Sequence, residues 1–325
     1  MIRVNGIGIA LDRREQGADV SFVSHAHSDH IAAVRRAAGI FASKETIELV
    51  DAAYGIKVSN ACTSGPGSSM QLFDSGHMLG AKQLAVTDET HGTRTVYSGD
   101  FQMQKSAASP ALEVTDADVL IIDSTYPYPN IRFDNRQEVE EELVRWVNRS
   151  LRTGSVLFSA YAMGKAQELT RLLNNAGIRP RISRKIGRIN AVYEANGIRL
   201  ECDPLYSQEG GLAVGGGSFV GIVENSELRE LAYLLARYRG MNVMTAVATG
   251  FAKIFRFSTD AQFALSDHAD FAQSVDYIEA TGAKKVLAYG TNERRFAKKL
   301  AEHGYDAMPF SEAPANLFDG GFGGP

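Results

Sequence analysis

The feature that most constrains this chain is a run of seven residues, Ser24-His25-Ala26-His27-Ser28-Asp29-His30, set directly after the apolar stretch 20–23. The apolar stretch reads as a short strand, so the run falls on a loop at a strand end, where site residues of sheet proteins gather. Alternation aims His25 and His27 the same way, and Asp29 and His30 follow at once. Nitrogen and carboxylate donors of this kind suit zinc or a related divalent ion. With 7 histidines in 325 residues, three within six positions are a poor candidate for a surface accident. A purely structural zinc is disfavoured, because such sites usually close four ligands with cysteines. Here there are only Cys62 and Cys202, far apart and in no C-x-x-C arrangement.

Composition narrows the frame. A chain of 325 residues with 44% hydrophobic and 22% charged residues is an ordinary globular protein, long enough for two compact units or one large one. The formal net charge of −4 excludes a broadly basic nucleic-acid binder, so any such surface is a local patch. Two isolated cysteines argue against a disulfide framework and fit a reducing cytoplasm. The N-terminal segment carries early charges and reads as neither signal peptide nor membrane span, and no later stretch reaches the roughly 18 apolar residues of a transmembrane helix.

Short apolar runs alternate with helical patterns, which predicts an α/β fold. Candidate strands are 7–11, 20–23, 69–73, 83–87, 95–98 and 119–122. After Tyr128 the character changes. Residues 135–151 place Val139, Leu143, Trp146, Val147 and Leu151 at helical spacing, and Asn135 with Glu138 resembles a capping box. A strand at 155–160, a helix at 165–173 and a C-cap at Gly177 follow. The rhythm repeats as 219–223, 227–239 and 243–248, and again as 284–289 and 291–302. The tail 311–325 is rich in Gly and Pro and is expected to be lightly ordered.

Two later segments extend the first motif. Ser75-Gly76-His77-Met78-Leu79-Gly80 and Tyr97-Ser98-Gly99-Asp100-Phe101 each follow an apolar strand. With them the sequence resembles the metallo-β-lactamase superfamily. Ile121-Ile122-Asp123-Ser124-Thr125-Tyr126 and Ser266-Asp267-His268-Ala269-Asp270 resemble the acidic and histidine motifs of its β-CASP nuclease branch. Phe158-Ser159-Ala160-Tyr161-Ala162-Met163-Gly164-Lys165-Ala166-Gln167-Glu168-Leu169 and Thr249-Gly250-Phe251 resemble segments of that branch's cap. The resemblance covers nearly the whole chain and is nearest to short prokaryotic RNA-processing or DNA-ligase-associated exonucleases.

The resemblance implies an αββα sandwich (residues 1–127 and 258–325) with an inserted α/β β-CASP cap domain (128–257). It implies that His25, His27 and His77 hold one zinc ion, that Asp29 and His30 hold a second, and that Asp100 bridges them, with manganese as a substitute. Asp12 would support the ligands from behind. The implied reaction is phosphodiester hydrolysis by metal-activated water. Asp29, Asp123 and His268 would be the catalytic residues, His268 protonating the leaving oxygen while Asp123 orients its ring. The implied partner is a single strand of RNA or DNA, with RNA processing preferred and no membrane. The family reading leaves room for a homodimer.

Arg179, Arg181, Arg184, Lys185 and Arg188 fall within ten residues without an acid. They read equally well as a nucleic-acid contact or as a solvated basic face. Gly164 and Lys165 open a helix whose N–H groups and ammonium could meet a phosphate, or which is an ordinary helix start. Tyr289 stands where RNA-acting members of the branch carry a further histidine and DNA-acting members a valine. A neutral phenol is a poor zinc ligand, so Tyr289 is expected to touch substrate or simply to pack. Two other classes stay open: a metallo-hydrolase of small esters or thioesters, and a catalytically weak β-CASP scaffold.

Overall fold

The computed structural model describes residues 1–35, 37–65 and 69–318. The chain divides into two compact units. One comprises Met1–Lys105, Pro110–Arg132 and His268–Pro325, and the other Ser106–Ser109 and Phe133–Asp267. The second unit runs past residue 257 because the strand Ala261–Phe263 pairs with Val243–Ala248 in its sheet.

The first unit is built on two sheets. Five strands, Ile2–Val4, Ile7–Leu11, Val20–Phe22, Ile40–Phe41 and Ala61–Cys62, lie side by side in chain order. The other sheet has the order Ala307–Pro309, Lys285–Tyr289, Val119–Asp123, Arg94–Tyr97, Lys82–Thr87, Met70–Asp74. Its first four strands are parallel and the last two antiparallel. Strand alternation explains the packing. Val119 and Ile121 point into a core shared with Ile9, Leu11, Phe22 and Phe41 of the five-stranded sheet. Leu120 and Ile122 point to the other face, where they meet Phe271, Tyr277, Phe296 and Leu300 from the helices Phe271–Thr281 and Glu293–Glu302. Both faces being covered is why 119–122 reads as an unbroken apolar run. Each such side chain contributes about 1.5–3 kcal/mol by its burial.

The second unit carries one sheet, in the order Asp203–Pro204, Arg181–Ile182, Val220–Val223, Ser155–Ser159, Val243–Ala248, Ala261–Phe263. All of its pairings are parallel. Helices Arg136–Ser150 and Lys165–Asn175 pack Val139, Leu143, Val147, Ala166, Leu169 and Leu173 onto Val156 and Phe158.

Local signals differ from expectation in two places. Asn135 does cap its helix, but its side chain accepts from Gln137 N, and Glu138 completes no reciprocal box. In the tail, residues 310–312 and 315–318 form short 3-10 turns, and Phe310 and Phe318 are buried in the core between the two sheets. Aromatic burial thus orders the part expected to be loose; residues 319–325 lie outside the described residues. Three helices that periodicity does not announce, Lys44–Tyr54, Arg184–Ala195 and Phe271–Thr281, each begin at a side-chain cap: Ser43, Ser183 and Asp270. Among the described residues no helix is long and apolar enough to cross a membrane.

Candidate metal centre

Four loops of the first unit bring their polar residues to one place, each leaving the end of a strand. His25, His27 and His30 follow Val20–Phe22, His77 follows Met70–Asp74, Asp100 follows Arg94–Tyr97, and Asp123 ends Val119–Asp123. Two glycines permit the close approach. A Cβ on Gly76 would lie 2.3 Å from the carbonyl oxygen of Gln102, and one on Gly99 would lie 2.7 Å from Ser24 Cβ. Both have positive φ, so a larger residue before His77 or Asp100 would be strained as well as crowded.

One ligand atom from each of His25, His27, His77 and Asp100 lies within 4.8 Å of the others. His27 Nδ1 is 3.0 Å from His25 Nε2 and 3.2 Å from His77 Nε2. Asp100 Oδ2 lies 3.5 Å from His25 Nε2, 3.4 Å from His30 Nε2, 3.9 Å from His77 Nε2 and 3.8 Å from His268 Nε2. His25 and His77 are buried. Such lone pairs converging out of water suit a divalent cation.

Asp12 organises the cluster from beneath. It ends the strand Ile7–Leu11 in a left-handed conformation, φ 53°, which Asp tolerates better than most residues. Its carboxylate accepts from Ser24 N and Ser24 Oγ at 2.6 Å, from His30 Nδ1 at 2.7 Å and from Tyr97 Oη at 2.7 Å. Because the Ser24 hydroxyl donates to Asp12, it accepts from His25 Nδ1 at 2.9 Å. Asp12 thereby fixes the tautomers of His25 and His30, leaving each Nε2 facing Asp100. Burial pushes the Tyr97 hydroxyl well up, with Asp12 adding to it, so it stays a donor.

The charges divide accordingly. Burial and the neighbouring imidazoles hold His25 well below its usual value, so it is neutral with a lone pair. Burial also disfavours a charge on His30, but Asp100 and Asp12 outweigh it and raise this imidazole well above its usual range. For Asp100, burial favours the acid, yet His30, His268 and His25 hold it well below the carboxylate range.

A second pair lies beside the cluster. His268 Nδ1 is 2.9 Å from Asp123 Oδ2. The other carboxylate oxygen of Asp123 accepts from Thr125 N at 2.9 Å and Thr125 Oγ1 at 2.7 Å. Gln102 Nε2 holds the His268 carbonyl at 2.8 Å. Asp100, Asp123 and His268 also offer atoms within 4.8 Å of one another. Asp29 is the outlier of the first motif. Its side chain is 79% exposed, 3.7 Å from His30 Nε2, and is not part of the four-residue group.

Other expected site residues sit differently. Tyr289 donates its hydroxyl to the Leu11 carbonyl at 2.7 Å and packs on Tyr97 and Phe310. It therefore braces the strand end that carries Asp12, as its packing alternative implies. Lys165 is buried, with its ammonium on Glu168 Oε2 at 2.5 Å, and Glu168 also pairs with Arg136. Arg181 Nη1 donates to the carbonyls of Pro204 and Ala213, Arg184 Nη2 to those of Ser207 and Gln208, and Lys185 pairs with Glu224 at 2.7 Å. These cations fasten the segment 204–213 and the strand end at Glu224. Sequence reasoning missed Thr125, Gln102 and Tyr97 as supports. All three lie within three residues of a motif acid, the one signal that could have marked them.

No family model matches the chain. Over 304 residues, 90% of its length, the chain is 29% identical to a probable DNA ligase of Opitutus terrae, of which it covers 29%. It is 36% identical over 125 residues to an uncharacterized protein in the lig 3'region of Acidianus ambivalens, a match covering 38% of this chain and 81% of that protein. An RNase J-like protein of Methanocaldococcus jannaschii is 28% identical over 108 residues, 32% of this chain and 25% of that protein. The chain thus spans under a third of the ligase and a quarter of the RNase J-like protein. A crystal structure of a protein of unknown function from Enterococcus faecalis aligns over 87% of this chain and 78% of that one with a TM-score of 0.57 at 13% identity, a likeness of fold.

Proposed function

Starting from a chain that belongs to the β-CASP branch of the metallo-β-lactamase superfamily, we propose that it is a metal-dependent phosphodiesterase acting on RNA, from a strand end. In this reading the first unit is the αββα sandwich and the second the inserted cap. The observation that carries it is the convergence of His25, His27, His77 and Asp100 within 4.8 Å, with the Asp123–His268 pair beside them. The donor set fits zinc: three imidazoles and a carboxylate, with manganese as a substitute. His25, His27 and His77 would hold a first ion, and Asp29 and His30 would contribute to a second, with Asp100 available to both. Bound there, a divalent ion lowers the pKa of water and neutralises phosphate charge.

The chain's own residues do the rest. Asp12 and Ser24 keep His25 and His30 in the tautomers that present Nε2. Asp123, fixed by Thr125, orients His268 and stabilises its imidazolium, so that His268 can hand a proton to the leaving oxygen. The two free cysteines, Cys62 and Cys202, fit a reducing cytoplasm.

DNA is the second reading, favoured by the names of two relatives, a probable DNA ligase and an uncharacterized protein in a lig 3'region. Zinc-loaded protein given 5′- and 3′-labelled single strands of RNA and DNA separates the two. Shortening of RNA from one labelled end, abolished by Asp100→Ala and Asp29→Ala, is expected. Shortening of DNA alone would transfer the proposal to DNA ends. Cleavage of neither strand, together with turnover of small esters, would replace it by an esterase.

A further inference from the structure

In the basic run, Arg181, Arg184 and Lys185 already have partners within their own unit, whereas another basic segment of that unit combines an unpaired cation with open aromatic rings. We propose that residues 251–257, Phe251-Ala252-Lys253-Ile254-Phe255-Arg256-Phe257, form a stacking platform for the bases of a single strand, with Arg256 meeting its phosphates. The proposal rests on the nuclease reading above and adds the place where the strand is held.

Three observations carry it. The first is exposure: Phe255 is 57% and Phe257 36% open to solvent, among the few large hydrophobics left outside the cores. Phe251 and Phe255 lie with ring centroids 6.1 Å apart and planes at 32°. The second is rigidity. Gln262, on the neighbouring strand, donates to the carbonyls of Ala252 at 2.9 Å and Phe255 at 3.2 Å and accepts from Phe257 N at 3.1 Å. Thr249 Oγ1 accepts from Phe251 N at 3.3 Å. The backbone is thus tied down while the rings face water, an arrangement that lowers the entropy lost on binding.

The third observation is charge. The segment holds Lys253 and Arg256 and no acid. Lys253 is paired with Asp134 at 2.7 Å, whereas exposed Arg256 has no acidic partner among the described residues. A guanidinium without an acidic partner, next in sequence to two open aromatic residues in a chain of net charge −4, complements a strand that offers bases and phosphates together. A purely apolar protein partner would leave Arg256 without a counter-charge.

The test is fluorescence anisotropy of a labelled mixed-sequence single strand and its abasic counterpart, with wild type, Phe255→Ser/Phe257→Ser and Arg256→Ala. Hydrolysis of bis(p-nitrophenyl) phosphate, which needs only the metal centre, and sedimentation velocity run beside it. The double variant should bind the natural strand more weakly by roughly 5- to 100-fold per lost stack and be indifferent to removal of the bases, with small-diester hydrolysis unchanged. Arg256→Ala should flatten the salt dependence of log Kd by about 0.7. Equal strand affinity of wild type and double variant would overturn the platform. So would a dimer that the double variant alone dissociates with strand binding intact, since the rings would then face a second copy. If wild type neither binds strands nor hydrolyses the diester, the nuclease reading fails and the platform with it. Wild type active on the diester, with the double variant as tight on strands, refutes the platform alone.

Discussion

The histidine loop at 25–30 and the arginine run at 179–188 are both dense in functional side chains, and the structure treats them in opposite ways. At the first, imidazoles turn inward, lose water and face one another and Asp100 at 3.0–3.9 Å. At the second, Arg181 and Arg184 reach carbonyls more than twenty residues away and Lys185 reaches Glu224. Imidazole nitrogens and a carboxylate that converge on one point offer a donor set for a cation from outside. Guanidiniums can be satisfied by the backbone of their own unit. Functional density in a sequence therefore means a site only where the groups cannot satisfy one another.

Mutations can break this contrast. The largest effect is expected at the pair beside the cluster. His268→Ala should lower kcat by roughly 10²–10⁴-fold while the protein keeps its metal, because only proton delivery is removed. Loss of metal in this variant would instead make His268 a ligand. Asp12→Ala should weaken zinc affinity by about 10- to 100-fold, read by competition with a chelator, since His25 and His30 lose the bonds that set their tautomers. Unchanged affinity would mean that packing alone orients the rings.

A third prediction concerns pH. Burial first, with Arg136 adding to it, outweighs Asp267 and Glu140 and pulls Lys165 down to about 8. A depressed lysine binds fewer protons in the folded than in the unfolded state above that value, so its contribution to stability rises with pH. Wild type should gain stability relative to Lys165→Met from about pH 8 upward in denaturant titrations; a constant difference would show a lysine charged throughout. The smallest effect belongs to the arginine run. Arg184→Ala should lower stability by about 1 kcal/mol and leave strand Kd unchanged. A large rise in Kd would restore the run as a substrate contact.

The legible part of the molecule is what is local. The His/Asp cluster could be read because its acids and histidines sit at strand ends, next to glycines whose need is set by backbone approach. The α/β rhythm could be read because strands such as 119–123 are buried on both faces. The partners of Lys165, Tyr289 and the arginines could not be read because they are remote or set by packing. Tyr289 meets Leu11 across 278 positions, and Lys165 is covered by its unit's core while its carboxylate partner stands only three residues on. The Phe251–Phe257 turn escaped notice because aromatic residues in a sequence read as core until exposure is known.

The most direct test of the central claim is the metal content of the purified chain. Protein reconstituted with zinc and dialysed should retain at least one ion by elemental analysis, and His77→Ala and Asp100→Ala should retain less while remaining folded. Wild type without zinc, or variants that hold as much as wild type, would contradict the account.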